Sequence, residues 1–201
     1  LTVNVLIFPS ELEQAADLLL AAQAARVDAL IVQDVGLAWL AGQLTPDLAI
    51  HGSTQMSITS AAGVAMAAEL GCTRVVLARE LSLRDLRRIQ EQLQRRGLTM
   101  PFEVFVHGAL CVAYSGQCLT SEALGQRSAN RGDCSQACRL PYQVLDDQGR
   151  FIAHDKHVLS MKDNNQSANM AALVDAGIRS FKIEGRYKDM GYVKNITAHY
   201  R

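Results

Sequence analysis

Apolar residues follow two different periods along this chain. Residues 3–7 alternate apolar and polar positions, and residues 29–32 form a continuous apolar run of the kind found in a strand covered on both faces. Residues 82–96 instead repeat leucine and isoleucine at helical spacing, and Ser10 with Glu13 has the pattern of a capping box at a helix start. The pattern predicts strands at 3–7, 28–33, 48–51, 74–79, 102–106, 159–162 and 180–184, and helices at 10–26, 36–44, 57–70, 82–96, 168–176 and 189–200.

The order of these elements predicts an α/β fold. Strands begin about every 20–28 residues in the first half of the chain, a spacing typical of βα units joined by right-handed crossovers. We expect one partial domain over residues 1–201, an incomplete TIM-barrel-like (β/α) repeat. Seven units are visible where a closed barrel has eight, and the first residue is Leu1, so we expect a fragment. A doubly wound sheet is the alternative, but its usual glycine-rich phosphate loop is missing from the first βα turn.

Four of the five cysteines lie close together in the sequence. Cys111, Cys118, Cys134 and Cys138 form the pattern C-x6-C-x15-C-x3-C just after the predicted strand 102–106. We therefore expect the four thiols at the C-terminal end of that strand, inside an excursion over residues 108–158 that ends in a hairpin turning at 147–149. Cys72 precedes a strand at the opposite end of the fold and is predicted to be a buried structural thiol.

Four cysteines can hold either one zinc ion or an iron–sulfur cluster. Zinc sites of the finger type use two tight C-x2-4-C pairs, and only Cys134 with Cys138 resembles one. The wide first pair and the fifteen-residue loop fit a larger cofactor better, because a cubane has four separated iron corners. Paired disulfides and four unliganded buried thiols are further alternatives.

Polar residues collect where the predicted strands end. In an α/β barrel these positions carry the chemistry, although each residue taken alone is more often a helix cap or part of a solvated loop. Arg79, Lys162, Lys182 and Arg186 are predicted to converge as a cationic ring that holds a carboxylate-rich or phosphate-bearing ligand. The full set is Gln33, Asp34, Ser53, Thr54, Gln55, Arg79, Glu80, His107, Lys162, Asp163, Lys182, Glu184 and Arg186.

Composition narrows the class of protein. Apolar residues make up 49% of the chain and charged residues 20%, which is typical of a globular domain with a full core. A formal net charge of zero argues against a generally basic nucleic-acid binder but leaves room for a local basic patch. The sequence contains no signal peptide and no bilayer-spanning apolar run, so we expect a cytoplasmic protein. In that reducing compartment clustered cysteines favour metal or redox chemistry.

One motif carries a family resemblance. Glu103, Phe105 and the run from Gly108 to Cys111, followed by Gly116, Cys118 and Ser121, resemble the signature of peptidase family U32, the collagenase-like peptidases. The sequence departs at Thr120, where the family prefers an aliphatic residue. Three longer motifs, at 127–142, 160–164 and 180–190, are similar to those of the RNA-hydroxylating branch of this family.

The resemblance implies an enzyme that hydroxylates a cytidine of large-subunit ribosomal RNA. It implies a [4Fe–4S] cluster held by the four loop cysteines, and prephenate, a dicarboxylate, as co-substrate. The cationic ring would then bind the carboxylates. The candidate catalytic residues are His107, Arg79, Glu80, Lys162, Lys182, Glu184 and Arg186.

Contact with RNA is expected from the cysteine-bearing excursion. Arginine and aromatic side chains can grip phosphates and stack on unpaired bases, and the candidates are Arg127, Asn130, Arg131, Arg139 and Tyr142. The alternative is that these arginines only neutralise the thiolates and solvate the loop.

Two other functions remain open. The family name implies proteolysis, but the sequence has neither H-E-x-x-H nor G-x-S-x-G, and the conceivable pair Ser115 and His107 has no third member to orient the histidine. The second alternative, from another class, is a zinc-stabilised RNA-binding module without chemistry of its own.

Overall fold

Six parallel strands form the centre of the fold. The computed structural model describes residues 1–185 and 188–201. The strands are β1 Thr2–Val3, β2 Ala29–Val32, β3 Ala49–Gly52, β4 Cys72–Val76, β5 Phe102–Gly108, β6 Tyr142–Leu145, β7 Phe151–Lys156, β8 Asn164–Asn165 and β9 Ser180–Ile183. The helices are α1 Leu12–Ala24, α2 Val35–Leu44, α3 Ala61–Glu69, α4 Leu83–Arg95, α5 Thr120–Gly125, α6 Met170–Asp175 and α7 Met190–Tyr200.

The sheet has the order expected of consecutive βα units. Strands β1 to β5 pair in sequence and in parallel, and β9 then pairs with β5 in parallel. Short β8 pairs antiparallel with the end of β5. Among the described residues β9 does not pair with β1, so the sheet is open. The predicted α/β class is confirmed, and the arrangement is consistent with an incomplete TIM-like fold.

The two faces of the sheet differ in chemistry. On one face Leu30, Val32 and Val75 are fully or almost fully buried in the core that the sheet shares with α1 to α4. Because successive strand residues point to opposite faces, the intervening positions lie on the inner face of the curved sheet. That face carries charged side chains, among them Arg74 and Glu103, which form an ion pair at 3.8 Å.

Helix starts are set by local capping. Asp34 caps α2 by accepting a hydrogen bond from the amide of Leu37 at 2.8 Å, and Ser82 with Asp85 forms a capping box for α4. Helix α3 begins later than predicted because residues 54–56 form a separate turn and Ser60 provides the cap. The capping box predicted at Ser10 and Glu13 is wrong.

A different residue closes the turn before α1. The side chain of Glu11 accepts a hydrogen bond from the amide of Phe8 at 2.8 Å, and residues 9–11 form a 3-10 turn. The predicted first strand is also shorter than expected. The amide of Ile7 donates to the side chain of Asp34 at 3.1 Å instead of joining the sheet ladder.

The strand predicted at 159–162 is wrong. These residues have no strand conformation, and Leu159 and Met161 are exposed. The guanidinium of Arg139 holds this segment by donating to Ser160 Oγ at 2.8 Å and to the Met161 carbonyl at 3.3 Å. The hairpin predicted before it is present as β6 and β7. None of the described helices has the length and apolarity needed to cross a bilayer.

Candidate functional site

The excursion after β5 docks on the C-terminal ends of β3 and β4. Gly116 lies so close to the backbone of Gln55 that an added Cβ would be 2.1 Å from the Gln55 carbonyl oxygen. Its φ of +76° is also a conformation that favours glycine. The hydroxyl of Ser57 donates a short hydrogen bond to the Ser115 carbonyl. The strand ends and the cysteine segment therefore form one continuous surface.

Glu80 anchors this docking. Its carboxylate accepts from the amide of Ser115 at 2.8 Å and from the Ser115 hydroxyl at 2.9 Å. The same hydroxyl accepts from the amide of Arg79 at 3.2 Å, and Ser115 is buried. Both carboxylate oxygens of Glu80 thus bind the loop. Among the described residues, no hydrogen bond joins Ser115 to His107.

The four loop cysteines lie near one another. All are free, with Cys111 and Cys134 exposed and Cys118 and Cys138 partly buried. Burial raises the pKa of the Cys138 thiol; Arg139 opposes this shift, and the Cys111, Cys134 and Cys118 thiols add to it. All three are therefore close enough to Cys138 to interact with it electrostatically.

The thiols are nevertheless not arranged around one point. Over residues 1–185 and 188–201, no three cysteine, histidine or carboxylate side chains lie close enough to share a single metal ion. A four-cysteine zinc site has all four sulfur atoms about 2.3 Å from one ion. Cys72, by contrast, is buried at the start of β4, and burial raises its pKa to about 11, which agrees with the predicted structural thiol.

Two of the four predicted ring cations converge. The guanidinium carbon of Arg79 lies 4.2 Å from the centre of the Phe105 ring, and Lys182 Nζ lies 5.3 Å from it. Arg79 is 3.7 Å from Glu184, and Lys182 is 3.7 Å from Glu103, so both ion pairs are loose. Arg79 Nε is buried without a hydrogen-bond partner in the described part of the chain.

Lys162, a third predicted ring cation, has no recorded contact with Arg79 or Lys182 in the described part of the chain. Lys162 is exposed on the segment after the hairpin. Arg186 lies outside the described residues. Asp163 pairs with Lys188 at 3.7 Å. Asp34 is a helix cap, the structural alternative to a role in the site.

His107 lies at the end of β5 among aromatic side chains of α7. Its Nδ1 is 3.1 Å from the hydroxyl of Tyr200, whose ring meets the imidazole edge-on with centroids 5.5 Å apart. The centre of the Tyr192 ring lies 6.1 Å from the centre of the imidazole. The backbone carbonyl of His107 accepts from the amide of Glu184 at 2.8 Å, which places the two side by side on β5 and the end of β9.

Below these residues lies a charged layer that sequence reasoning missed. Glu103 on β5 accepts from Ser180 at 2.7 Å and pairs with both Arg74 on β4 and Lys182 on β9. Burial and then the positive charge of Arg74 lower the pKa of His51 on β3. The alternation of Glu103 with apolar Phe102 and Val104 could have predicted this layer, since it places a carboxylate on the inner face of a central strand.

The residues proposed for RNA contact all make contacts within the protein. Arg131 binds both oxygens of Glu11 at 2.5 and 2.6 Å and covers the Phe8 ring at 4.4 Å. Asn130 accepts from the amide of Cys118 at 3.1 Å. The other three contacts are Arg127 with Asp133, Arg139 with the Leu110 carbonyl, and Tyr142 with the Ala137 carbonyl. A structural role is therefore present for each.

Two cavities border the excursion. One of about 340 Å³ lies beside Arg79 and Phe105 and is bounded by Leu110 and Asn164. Another of about 550 Å³ lies between the N-terminal segment, at Phe8, and the excursion, at Arg131.

The fold and this strand-end site define an α/β protein whose cysteine-bearing excursion covers the mouth of an open barrel-like sheet. The solved structure of a U32 peptidase has the same fold, with a TM-score of 0.50 and 14% identity over 90% of this chain and 65% of that one. Residues 1–201 match the sequence profile of peptidase family U32. The chain belongs to peptidase family U32.

Curated relatives include both RNA-modifying proteins and proteases. The chain is 54% identical over 200 residues to the 5-hydroxycytidine synthase of 23S ribosomal RNA from Escherichia coli. It is 35% identical to a collagenase of Porphyromonas gingivalis and 33% identical to a tRNA hydroxylation protein of Bacillus subtilis. All of this chain is covered in each comparison, but it spans only 29%, 50% and 48% of those relatives.

Proposed function

We propose that the chain is part of an RNA-modifying enzyme that hydroxylates a cytidine of large-subunit ribosomal RNA in the cytoplasm. The observation that carries this proposal is that the segment with four free thiols docks on the strand ends through Ser115, whose hydroxyl accepts from the amide of Arg79. The 54% identity to an enzyme that makes 5-hydroxycytidine in ribosomal RNA supports the substrate.

Cys111, Cys118, Cys134 and Cys138 would hold a [4Fe–4S] cluster. The four cysteines fit as donors, because four cysteine sulfurs are the usual ligands of such a cluster and the other three thiols all lie close enough to Cys138 to interact with it electrostatically. When bound, the cluster would supply one-electron transfer. Arg139 would support two of the ligands, because it follows Cys138 and donates to the carbonyl of Leu110, which precedes Cys111.

Arg79 and Lys182 would bind the dicarboxylate co-substrate, for which we propose prephenate. Both cations lie over the Phe105 ring, and Arg79 and Phe105 line a cavity of about 340 Å³. The buried Nε of Arg79 lacks a partner in the described part of the chain. Their carboxylate partners are 3.7 Å away, so an incoming carboxylate can replace them. Lys162 and Arg186 stay candidate partners of the same dicarboxylate.

His107 and Glu184, which neighbour one another at the ends of β5 and β9, would act as the general acid and base. His107 is partly buried, as a base that works beside a bound substrate should be. Glu80 acts by holding the Ser115 turn in place. Because that serine is buried and bound to Glu80, it is poorly suited to be the nucleophile of a peptidase.

RNA would approach over the excursion. The cavity of about 550 Å³ between Phe8 and Arg131 is large enough for one unpaired nucleotide, with Arg127 and Asn130 at its wall. Here Arg131 both ties the loop to Glu11 and presents its planar group beside an aromatic ring.

Metal analysis after anaerobic purification tests the cofactor. We expect iron and sulfide in stoichiometric amounts, lost in Cys118→Ser and retained in the matched control Cys72→Ser, whose thiol is buried away from the loop. Stoichiometric zinc without sulfide would instead support an RNA-binding module stabilised by zinc.

The substrate is tested in cells that lack the full-length protein. Mass spectrometry of their ribosomal RNA should show loss of 5-hydroxycytidine, restored by the wild-type protein and not by Arg79→Ala. An unchanged modification would remove the hydroxylase function. Cleavage of denatured collagen that survives Cys118→Ser but is lost in His107→Ala would support a peptidase.

A further inference from the structure

A row of hydrogen-bonding groups leads from His107 to the protein surface. His107 Nδ1 is 3.1 Å from the Tyr200 hydroxyl, and that hydroxyl is 3.2 Å from Ser167 Oγ. Ser167 Oγ is in turn 2.8 Å from Nε2 of His199. His107, Tyr200 and Ser167 are partly buried, whereas His199 is exposed. The row therefore joins the candidate site to solvent.

The surroundings of Tyr200 decide which nitrogen of His107 carries hydrogen. The Tyr200 hydroxyl has one hydrogen, and two oxygen atoms that can only accept lie near it: the Val106 carbonyl at 3.1 Å and Asn165 Oδ1 at 3.3 Å. Asn165 Oδ1 also accepts from the amide of Ser167 at 3.0 Å, which identifies it as the oxygen of the side-chain amide. The phenolic oxygen is then best satisfied by receiving a hydrogen from His107.

We propose that Tyr200 holds neutral His107 with its hydrogen on Nδ1, so that Nε2 is free to act as a base, and that Ser167 and His199 complete a path for protons to solvent. Tyr200 and Ser167 are positioning residues. The task of this base rests on the proposed hydroxylation, in which the substrate carbon loses a proton.

The transfers balance along the row. When Nε2 of His107 takes up a proton, Nδ1 releases its own to the oxygen of Tyr200. The Tyr200 hydroxyl first turns from the Val106 carbonyl to Ser167 Oγ, and the Ser167 hydroxyl turns from Asn165 Oδ1, to which it donates at 2.5 Å, to Nε2 of His199. The Tyr200 proton then passes to Ser167 Oγ, and the Ser167 proton passes to Nε2 of His199. One proton enters at the site and one leaves to solvent, and only N–H and O–H bonds form or break.

Tyr192 provides a matched control for Tyr200. Both tyrosines lie on α7 with their rings against His107. The Tyr192 hydroxyl, however, is buried without a hydrogen-bond partner among the described residues. Changing Tyr192 to phenylalanine therefore removes an equivalent hydroxyl without breaking the row.

Nitrogen NMR of the histidine-labelled chain tests the tautomer without RNA. Under conditions in which His107 is neutral, we expect hydrogen on Nδ1 in the wild type and in Tyr192→Phe, and a shift of the population to Nε2 in Tyr200→Phe. A wild type with hydrogen on Nε2, or equal effects of the two tyrosine variants, would overturn the assignment. Thermal unfolding of each variant confirms that it is folded.

Ser167→Ala tests the path itself. The tautomer of His107 should stay as in the wild type, while exchange of its Nδ1 hydrogen with water slows about tenfold, because one link of the path is removed. Unchanged exchange would exclude the path. Since neither measurement uses RNA, failure of the row and failure of the proposed hydroxylation are observed separately.

Discussion

Single glycines determine how closely the excursion approaches the strand ends. At Gly108, with φ of +104°, an added Cβ would lie 2.2 Å from the carbonyl oxygen of Glu184. At Gly116 the distance to the Gln55 carbonyl oxygen is 2.1 Å. Both approaches are to backbone, which cannot move aside as a flexible side chain can. Cys111 and Cys118, three and two residues after these glycines, are therefore positioned by backbone contact as well as by side chains.

The first prediction compares two glycines with nearly the same conformation. Gly116 and Gly149 have φ of +76° and +78°, but Gly149 has no atom within 4 Å of an added Cβ. Gly149→Ala should cost about 1 kcal/mol of unfolding free energy from backbone conformation alone. Gly116→Ala should cost about 3 kcal/mol or more, because the loop must also move.

Urea denaturation followed by circular dichroism measures both losses. Faster alkylation of Cys118 in Gly116→Ala than in Gly149→Ala would show that the loop has shifted. Equal losses of stability in the two variants would mean that the contact with Gln55 does not hold the loop.

At the scale of whole elements, one arginine connects the turn before α1 to the excursion. Arg131 donates to the carboxylate of Glu11 and, at 2.6 Å, to the carbonyl of Leu6. The amide of Leu6 reaches the carbonyl of Asn130 at 3.5 Å. Residues more than a hundred positions apart thus form one side of the larger cavity.

The second prediction concerns how the ion pair between Arg131 and Glu11 depends on pH. The hydrogen bond from Arg131, and then that from the Phe8 amide, lowers the pKa of Glu11 from 4.5 to about 2. Because the folded value lies below the ordinary one, the ion pair stabilises the protein fully above about pH 4.5 and stops doing so as pH falls through about 2.

The NMR shift of the Phe8 amide should therefore titrate near pH 2. Glu11→Gln should abolish this titration, whereas Glu13→Gln, a change on the next turn, should leave it in place. A titration midpoint near the ordinary pKa of glutamate would show that the ion pair between Arg131 and Glu11 is absent in solution.

For the whole molecule, the charged inner layer joins strands that are far apart in sequence. Glu103 contacts residues of β4 and β9, which flank β5. The Glu103 side chain is 14% exposed, against 37% for Arg74 and 35% for Lys182. A mostly buried carboxylate between two more exposed cations balances charge across the sheet.

The third prediction follows from this balance. Glu103→Ala should lower the unfolding free energy by about 2–3 kcal/mol, because it leaves Ser180, Arg74 and Lys182 without their shared partner. Glu103→Gln should cost less, since an amide oxygen still accepts from Ser180.

Denaturation with urea at low and at high salt distinguishes the two contributions. The loss of stability in each variant should fall at high salt, because ion pairs whose cations are one-third exposed are partly screened. The difference between the variants, which reports the hydrogen bond with Ser180, should stay the same. Equal losses in the two variants would mean that the hydrogen bond with Ser180 contributes nothing, and losses that do not change with salt would mean the same of the ion pairs.

Much of the fold could be predicted because it depends on local pattern. The apolar runs and helical repeats located all six parallel strands and the helices between the first five of them. Boundaries were less accurate, because side chains such as Glu11 and Asp34 redirect backbone hydrogen bonds. The alternation of Leu159 and Met161 was misleading, because Arg139 holds that segment away from the sheet.

The candidate site was only partly predictable for a different reason. Four cysteines after one strand can reach each other through a single excursion, and this proximity is local in sequence. The partners of His107 lie on α7, 93 positions away, so no spacing pattern points to Tyr200. The same holds for the pairing of Glu184 with Arg79, which depends on how β9 joins the sheet.

Arg139 closes the excursion at its base. Its guanidinium connects the carbonyl of Leu110, near the start of the excursion, to Ser160 and Met161, just after its end. The hairpin turn at 147–149 is exposed and lies within the excursion, between the segments that these contacts of Arg139 hold together. A protease that nicked that turn would therefore leave two polypeptides that stay together in solution, with all five cysteines on the N-terminal one.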